Sequence, residues 1–183
     1  MTWKTLSKKI VTKNNFFTLT EERCLKHNGE IAEQYFTVEK PDSVVIIPFT
    51  EDKKVILIKQ YRHPIRSTKY EVPAGYVEKK DKSLIASAKR ELGEETGYET
   101  TKMIKLGKAF ALSGFITSTT HFFLALNCKK KTNRHLDKDE EIEVKTDTFK
   151  NTLARVKKLD IMDLGSAHGI LLAKEYLDNH KIV

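Results

Sequence analysis

Three glutamates stand close together in the part of the chain with the strongest helical pattern. Glu91, Glu94 and Glu95 fall on one narrow arc of a helix, because each helical residue turns by about 100°. That arc lies near the C-terminal end, where the helix dipole disfavours negative charge, and Arg90 offsets only part of the repulsion by reaching Glu94. A hard divalent cation such as Mg²⁺ resolves the conflict, since it binds carboxylate and phosphate oxygens. Taken alone, the three residues also fit a solvated acidic helix face.

The helix that positions these carboxylates is predicted over residues 83–96. Apolar residues recur with the helical period from Leu84 to Leu92, and they form one stripe that can face a core. Ser83 has the side chain of a good N-cap. Gly97 is typical of the residue that follows a helix end. The acidic arc is therefore expected on the side of the helix that the apolar stripe leaves open.

The sequence from Gly75 to Tyr98 resembles the Nudix box, the signature of a family of metal-dependent pyrophosphatases. The family pattern is Gly, five residues, Glu, seven residues, Arg-Glu, an aliphatic residue, any residue, Glu-Glu, any residue, Gly and an apolar residue. The half that starts at Arg90 matches every specified position, with Tyr98 counted as apolar. The first half is one residue longer than the family pattern, and Lys82 occupies the expected Glu position. We infer an insertion in the loop that enters the helix, with Asp81 replacing the Glu that braces this loop in the family.

The resemblance implies roles for individual residues of the box. It makes Glu91 and Glu95 the first candidates for metal ligands, adds Glu94 as a third, and assigns the backbone carbonyl of Ala74 to the same site. This donor set contains only oxygen, which suits Mg²⁺, with Mn²⁺ as the alternative. The resemblance also assigns Arg90 and Glu94 to the catalytic group.

Segments 58–62 and 71–75, which flank the start of the box, resemble the branch of the family that hydrolyses ADP-ribose and other nucleotide sugars. The long strand region before the box does so too, and in relatives this region forms a small sheet exchanged across a homodimer. The implied reaction is hydrolysis of the diphosphate bond of a nucleoside diphosphate sugar such as ADP-ribose. Its products are a nucleoside monophosphate and a sugar phosphate.

Four residues outside the box are candidates for substrate binding. Arg62 can form a fork on a phosphate, with Glu71 nearby, although a structural salt bridge between adjacent strands is an equal alternative for this pair. The branch typically has Pro-Gly in the loop after the box. Here Ser113 replaces the Pro before Gly114, so several sugars are open as substrates.

A general base is expected from an acidic loop late in the chain, because members of this branch take theirs from such a segment. The comparable segment here is 137–143. Glu140 is our candidate, and Asp139, Glu141 and Glu143 are the alternatives. The other interpretation is a solvated acidic loop with no part in the chemistry.

The remaining sequence predicts strands before the box and helices at the end of the chain. This order indicates an α/β (α+β) protein, with a mixed β-sheet sandwiched between helices and an N-terminal antiparallel β region. We expect residues 1–40 to form a dimerising strand region and 41–183 the hydrolase domain. The predicted strands are 16–25, 31–38, 44–49, 55–60, 103–111 and 121–126, with a two-residue Asn-Gly hairpin at 27–30, and the other helices are 148–156 and 166–177.

Composition narrows the class of partner. The net charge of +8 suits binding of a small polyanion. Nucleic acid is not expected as a partner, because no aromatic residues are interleaved with the lysine run at 129–131.

No apolar run is long enough to cross a bilayer. Cys24 and Cys128 have no metal-ligand spacing and are expected as reduced thiols. We therefore expect a cytoplasmic protein with no membrane partner.

Two alternative functions remain open from the sequence. A dinucleoside polyphosphate or RNA 5′-end pyrophosphohydrolase fits the basic charge but leaves the N-terminal strand region unexplained. A non-catalytic Nudix protein that senses nucleotides usually lacks box carboxylates and carries a DNA-binding domain. This chain retains Glu91, Glu94 and Glu95, which favours an enzyme.

Overall fold

A mixed β-sheet between helices forms the larger part of the protein. Our computed structural model describes residues 1–131, 133–136 and 141–181. These residues form eleven strands, three α-helices and a 3-10 turn at His63–Ile65. The strands are β1 (Lys4–Lys13), β2 (Thr18–Leu25), β3 (Ile31–Glu39), β4 (Ser43–Thr50), β5 (Lys54–Arg62), β6 (Ser67–Glu71), β7 (Ala74–Tyr76), β8 (Tyr98–Glu99), β9 (Lys102–Phe110), β10 (Thr119–Lys130) and β11 (Ile142–Thr148), and the helices are α1 (Leu84–Thr96), α2 (Phe149–Lys157) and α3 (Leu164–His180).

The larger sheet is built around β4. Within the described residues its path is β11-β5-β4-β10-β8, with β6 paired to β5, β7 to β4 and β9 to β10. Strand β10 runs parallel to β4, whereas β5 is antiparallel to β4 and β11 is antiparallel to β5. The combination of parallel and antiparallel pairs confirms the predicted mixed sheet.

Alternate residues of β4 face different helices, because side chains of a strand point to opposite faces in turn. Ile46 belongs to a buried cluster with Ala88 and Leu92 of α1. On the other face, a Cβ atom added at Gly169 of α3 would lie 2.9 Å from the Cδ1 atom of Ile47. Helix α3 can approach the sheet this closely because position 169 has no side chain. The sheet is therefore sandwiched between α1 and α3, as predicted.

A second sheet contains β1, β2 and β3 in that order, with both pairs antiparallel. The turn between β2 and β3 differs from the predicted two-residue hairpin. The amide of Lys26 donates to the carbonyl of Glu30 at 2.8 Å, which leaves a loop of three residues. Gly29 has φ of 85°, the left-handed conformation that a three-residue loop with a bulge requires.

Strand β1 was not predicted from the sequence. All ten of its residues are exposed, and its lysines interrupt the alternation of apolar and polar residues that marks a half-buried strand. Its backbone hydrogen bonds to β2 hold it in the sheet, and these bonds do not require an alternating pattern of side chains.

The chain consists of two compact units. The first contains Met1–Asp42 together with Ala109–Thr119, and the second contains Ser43–Lys108 together with Thr120–Val183. In the first unit, the amide of Val38 donates to the carbonyl of Phe115 at 2.8 Å, and the amide of Thr117 donates back to the carbonyl of Val38 at 3.0 Å. Among the helices described, none is long and apolar enough to cross a lipid bilayer.

Candidate active site

Helix α1 starts and ends as its sequence predicts. The hydroxyl of Ser83 accepts a hydrogen bond from the amide of Ala86 at 3.1 Å, which satisfies one of the free donors at the helix start. Gly97 has φ of 75°, and its amide donates to the carbonyl of Gly93. Leu92 is fully buried against the sheet. These contacts fix the rotation of the helix and hence the direction of its acidic face.

The guanidinium group of Arg90 joins that acidic face to the loop before it. Its Nη1 atom donates to Oε1 of Glu91 and to Oε2 of Glu94, both at 2.8 Å. Its Nε and Nη2 atoms donate to the two carboxylate oxygens of Asp81 at 3.1 and 3.0 Å. Nη2 also donates to the carbonyl of Tyr76 at 2.8 Å. The predicted contact from Arg90 to Glu94 is therefore present as one part of a larger network.

Asp81 braces the loop that carries the inserted residue. Its Oδ2 atom accepts from the amide of Glu78 at 3.0 Å, Arg90 donates to both carboxylate oxygens, and the side chain of Ser87 makes a further hydrogen bond. Those bonds hold the pKa of Asp81 well below its usual range, although burial alone would raise it. Lys82, at the position where the family pattern has Glu, is exposed. Asp81 thus makes the bracing contact that the sequence leads us to expect of it.

Glu91 lies directly against the backbone of Gly75. A Cβ atom at position 75 would overlap the carboxyl group of Glu91, so this packing requires a glycine. The side chain of Glu91 is 12 % exposed. The first glycine of the box therefore allows a carboxylate of α1 to approach strand β7.

Glu95 is the most deeply buried of the three glutamates, with 3 % of the residue exposed. Its Oε2 atom accepts a hydrogen bond from the amide of Ala74 at 3.0 Å. Ala74 in turn pairs with Val45 of β4. The backbone at Ala74 and the carboxylate of Glu95 are thereby held as neighbours at one end of β7.

Arg62 and Glu71 form a two-point ion pair between β5 and β6. The Nε atom of Arg62 donates to Oε1 of Glu71 at 2.9 Å, and its Nη2 atom donates to Oε2 at 2.5 Å. The pair raises the pKa of Arg62, to which the charges of Asp163 and Glu95 also contribute. Glu71 is buried, whereas 44 % of the Arg62 side chain is exposed. The buried carboxylate of Glu71 therefore anchors Arg62, and the exposed part of the Arg62 side chain is accessible to a ligand.

The donors around Glu91 and Glu95 match the chemistry of Mg²⁺ or Mn²⁺. Across residues 1–131, 133–136 and 141–181, no group of three His, Cys, Asp or Glu side chains is placed to hold a metal ion on its own. Mg²⁺ does not need such a cage, because it keeps several waters and uses one or two carboxylates with substrate phosphates. Two carboxylates beside the backbone of Ala74 fit that requirement.

The remaining predicted residues are Glu140, Glu143, Ser113 and Gly114. Glu140 falls outside the described residues. Glu143, which we predicted in a loop, lies on β11, where its carboxylate pairs with Lys145 at 2.5 Å. It is on a strand because residues 142–148 pair in register with β5. Ser113 and Gly114 belong to the first unit.

Apart from the predicted carbonyl of Ala74, sequence reasoning missed the backbone acceptors near the site. The carbonyl of Tyr76 accepts from Arg90, and the carbonyl of Glu94 accepts from the amide of His135 at 3.0 Å. Every residue carries a backbone carbonyl, so no residue type indicates which carbonyls belong to the site.

An open depression of about 460 Å³ lies beside Glu94 and is lined by Lys89, Arg90, Gly93, Glu94, Glu99, Thr100 and His135.

Comparison with known proteins gives a consistent result. The model of the NUDIX domain matches residues 39–161. The chain is 33% identical over 181 residues to an ADP-ribose pyrophosphatase of Bacillus subtilis (strain 168), a match that covers 97% of each protein. It is 27% identical over 174 residues to a GDP-mannose pyrophosphatase of Escherichia coli O139:H28, covering 87% of this chain and 88% of the relative.

The fold has a close counterpart among solved structures. The crystal structure of an ADP compounds hydrolase superposes with a TM-score of 0.88, covering 100% of this chain and 98% of the other, at 20% sequence identity. That likeness concerns the fold. The glutamates of α1, together with Gly75 and Arg90, lie within residues 39–161, the part of the chain that matches the NUDIX domain. The chain belongs to the Nudix family of hydrolases.

Proposed function

We propose that this protein is a Mg²⁺-dependent pyrophosphatase that cleaves the diphosphate bond of a nucleoside diphosphate sugar, with ADP-ribose as the leading candidate. The observation that carries the proposal is the seating of Glu91 and Glu95 against Gly75 and Ala74. The similarity to an ADP-ribose pyrophosphatase over nearly the whole chain supports the substrate class.

The chain's own groups arrange the donors for this reaction. Arg90 orients Glu91 and Glu94, and the amide of Ala74 holds one oxygen of Glu95, so that the carboxylates stay in one place. A bound Mg²⁺ would neutralise the phosphates and lower the pKa of the attacking water. We assign Arg62 the role of adding a positive charge for a phosphate, and the exposed part of its side chain supports this role.

The bond that breaks is the phosphoanhydride. The oxygen of water attacks one phosphorus, the bond to the bridging oxygen breaks, and a nucleoside monophosphate and a sugar phosphate leave. We assign the acceptor of the water's proton to the acidic segment at 137–143, with Glu140 as the first candidate. Glu141 is the next candidate, because Glu143 is engaged by Lys145 on β11.

We further propose that the protein works in the cytoplasm, where thiols stay reduced. Cys24 and Cys128 are both free and buried. Burial raises the pKa of the Cys128 thiol to about 12, so this thiol is a poor nucleophile and a poor metal ligand at neutral pH. Cys128 therefore belongs to the packing of the chain and not to its chemistry.

Glu95→Gln should lower kcat by about 100-fold or more, because the charge stabilisation supplied by a bound metal is worth several kcal/mol. Glutamine can still accept the hydrogen bond from Ala74, so the melting temperature without metal should hold or rise. Steady-state kinetics and circular dichroism measure the two effects. The matched control is Glu51→Gln, which removes an exposed partner of Lys129. Turnover of Glu95→Gln near the wild-type rate would show that the metal-site assignment is wrong.

ADP-ribose or GDP-mannose should be hydrolysed with a higher kcat/KM than a dinucleoside tetraphosphate. Ser113 replaces the proline of the branch and leaves this loop less constrained, so several sugars should be accepted. The three substrates are compared at one Mg²⁺ concentration, with capped RNA as a fourth. A preference of about tenfold, or ~1.4 kcal/mol, for the tetraphosphate or the RNA would overturn the substrate assignment and leave the Nudix fold intact.

A homodimer is proposed from the N-terminal sheet, and light scattering at micromolar concentration should show it. Strand β1 exposes Leu6, Ile10 and Val11 at 42, 56 and 47 %, and exposed apolar groups of this kind mark contact surfaces. Ile10→Glu should give a monomer. Lys9→Glu introduces the same charge on the opposite face of the strand and serves as the control. A monomeric wild type contradicts the proposal.

A further inference from the structure

Between β6 and β7 the backbone passes from the neighbour of β5 to the neighbour of β4 in the larger sheet. Strand β6 pairs with β5 and ends at Glu71, whereas β7 pairs with β4 and starts at Ala74. Val72 and Pro73 link them, and Val72 is fully buried. A buried amide between two strands needs a partner from elsewhere, since an unpaired buried N–H is costly.

That partner comes from α3. The amide of Val72 donates to the hydroxyl oxygen of Ser166 at 3.2 Å, across 94 positions of sequence. Ser166 is 1 % exposed. Its own amide donates to Oδ2 of Asp163 at 2.7 Å, so the helix cap fixes the residue that supports Val72.

The two residues after Val72 are held as firmly. The carbonyl of Pro73 accepts from the amide of Ile46 at 2.9 Å. The amide of Ala74 donates to Glu95 at 3.0 Å. The crossing therefore runs through three consecutive fixed points, of which the first is Ser166 and the last is a carboxylate of the proposed metal site.

We propose that Ser166 is a positioning residue for the metal site. By fixing the amide of Val72, it sets the direction of the backbone two residues later, where the amide of Ala74 donates to the carboxylate of Glu95. The inference rests on the proposed function, because it concerns the divalent cation that this function requires. Groups that orient metal ligands typically change metal affinity by about 10- to 100-fold when they are removed.

A role in stability alone is the competing explanation for this hydrogen bond. Loss of a buried acceptor lowers stability wherever it occurs. Only a positioning role also changes the binding of a metal in the absence of substrate. Thr152 offers the matched control, because it is fully buried and its hydroxyl donates to the carbonyl of Thr148, the residue that caps the start of α2.

The experiment is calorimetric titration of Mg²⁺ and Mn²⁺ into the full chain without nucleotide, well below the melting temperature of each variant. Ser166→Ala should raise the metal Kd by about tenfold. Ser166→Thr keeps the hydroxyl oxygen and should restore most of the affinity. Thr152→Val should lower the melting temperature and leave the Kd unchanged. If Ser166→Ala does not fold, Ser166→Cys, which keeps the shape with a weaker acceptor, should raise the Kd.

An unchanged Kd in the folded Ser166 variant, with a lower melting temperature, would overturn the inference and leave the proposed function intact. An equal rise in Kd for Thr152→Val would overturn it as well, because the effect would then follow from any loss of stability. Failure of the proposed function looks different. In that case the wild type itself binds neither cation, and Glu95→Gln has no effect on turnover.

Discussion

Arg90 and the acceptors around it are the interaction on which the rest of the site depends. Helix α1 presents Glu91 and Glu94 near its C-terminal end, where mutual repulsion and the helix dipole both act against them. One guanidinium group contacts both carboxylates and also Asp81. Its pKa is raised, because these hydrogen bonds and the charge of Glu91 outweigh the effect of burial. The acidic face is thereby held in shape by the chain's own groups, and a divalent cation bound there would share those carboxylates with Arg90.

The site is equally a product of how closely backbone elements approach each other. Gly75 lets the carboxyl group of Glu91 lie against β7, and the amide of Ala74 draws in Glu95. The strand crossing that presents these two backbone positions is tied to β4 at Ile46 and to α3 at Ser166. Helices α1 and α3, which lie on opposite faces of the sheet, therefore together set the positions of the oxygen atoms of the proposed metal site at one end of β7.

Local signals were enough to predict much of this arrangement. The cap at Ser83, the glycine at position 97 and the apolar stripe predict α1, because each acts within a turn or two of the helix. The same pattern predicts the acidic face, and the inserted residue explains why Asp81 meets Arg90 in the structure.

The remainder depends on contacts that leave no local pattern. The bond between Val72 and Ser166 joins positions 94 residues apart. Strand β1 pairs with β2 although all of its residues are exposed, so no buried apolar pattern marks it in the sequence. The turn at Gly29 has three residues because the pairing register of β2 and β3 decides its length, and that register is set by the whole sheet. Likewise, β11 takes up Glu143 because β5 offers it an edge.

The proposed function requires a divalent cation bound between α1 and the start of β7. The most direct test is a crystal structure of the protein with Mn²⁺ and a non-hydrolysable ADP-ribose analogue, in which anomalous scattering locates the metal. We predict a peak within about 2.0–2.4 Å of oxygens from Glu91, Glu95 and the carbonyl of Ala74, with the diphosphate on its open side. A peak bound by other residues, with none of these three groups among its ligands, would contradict the proposed metal site.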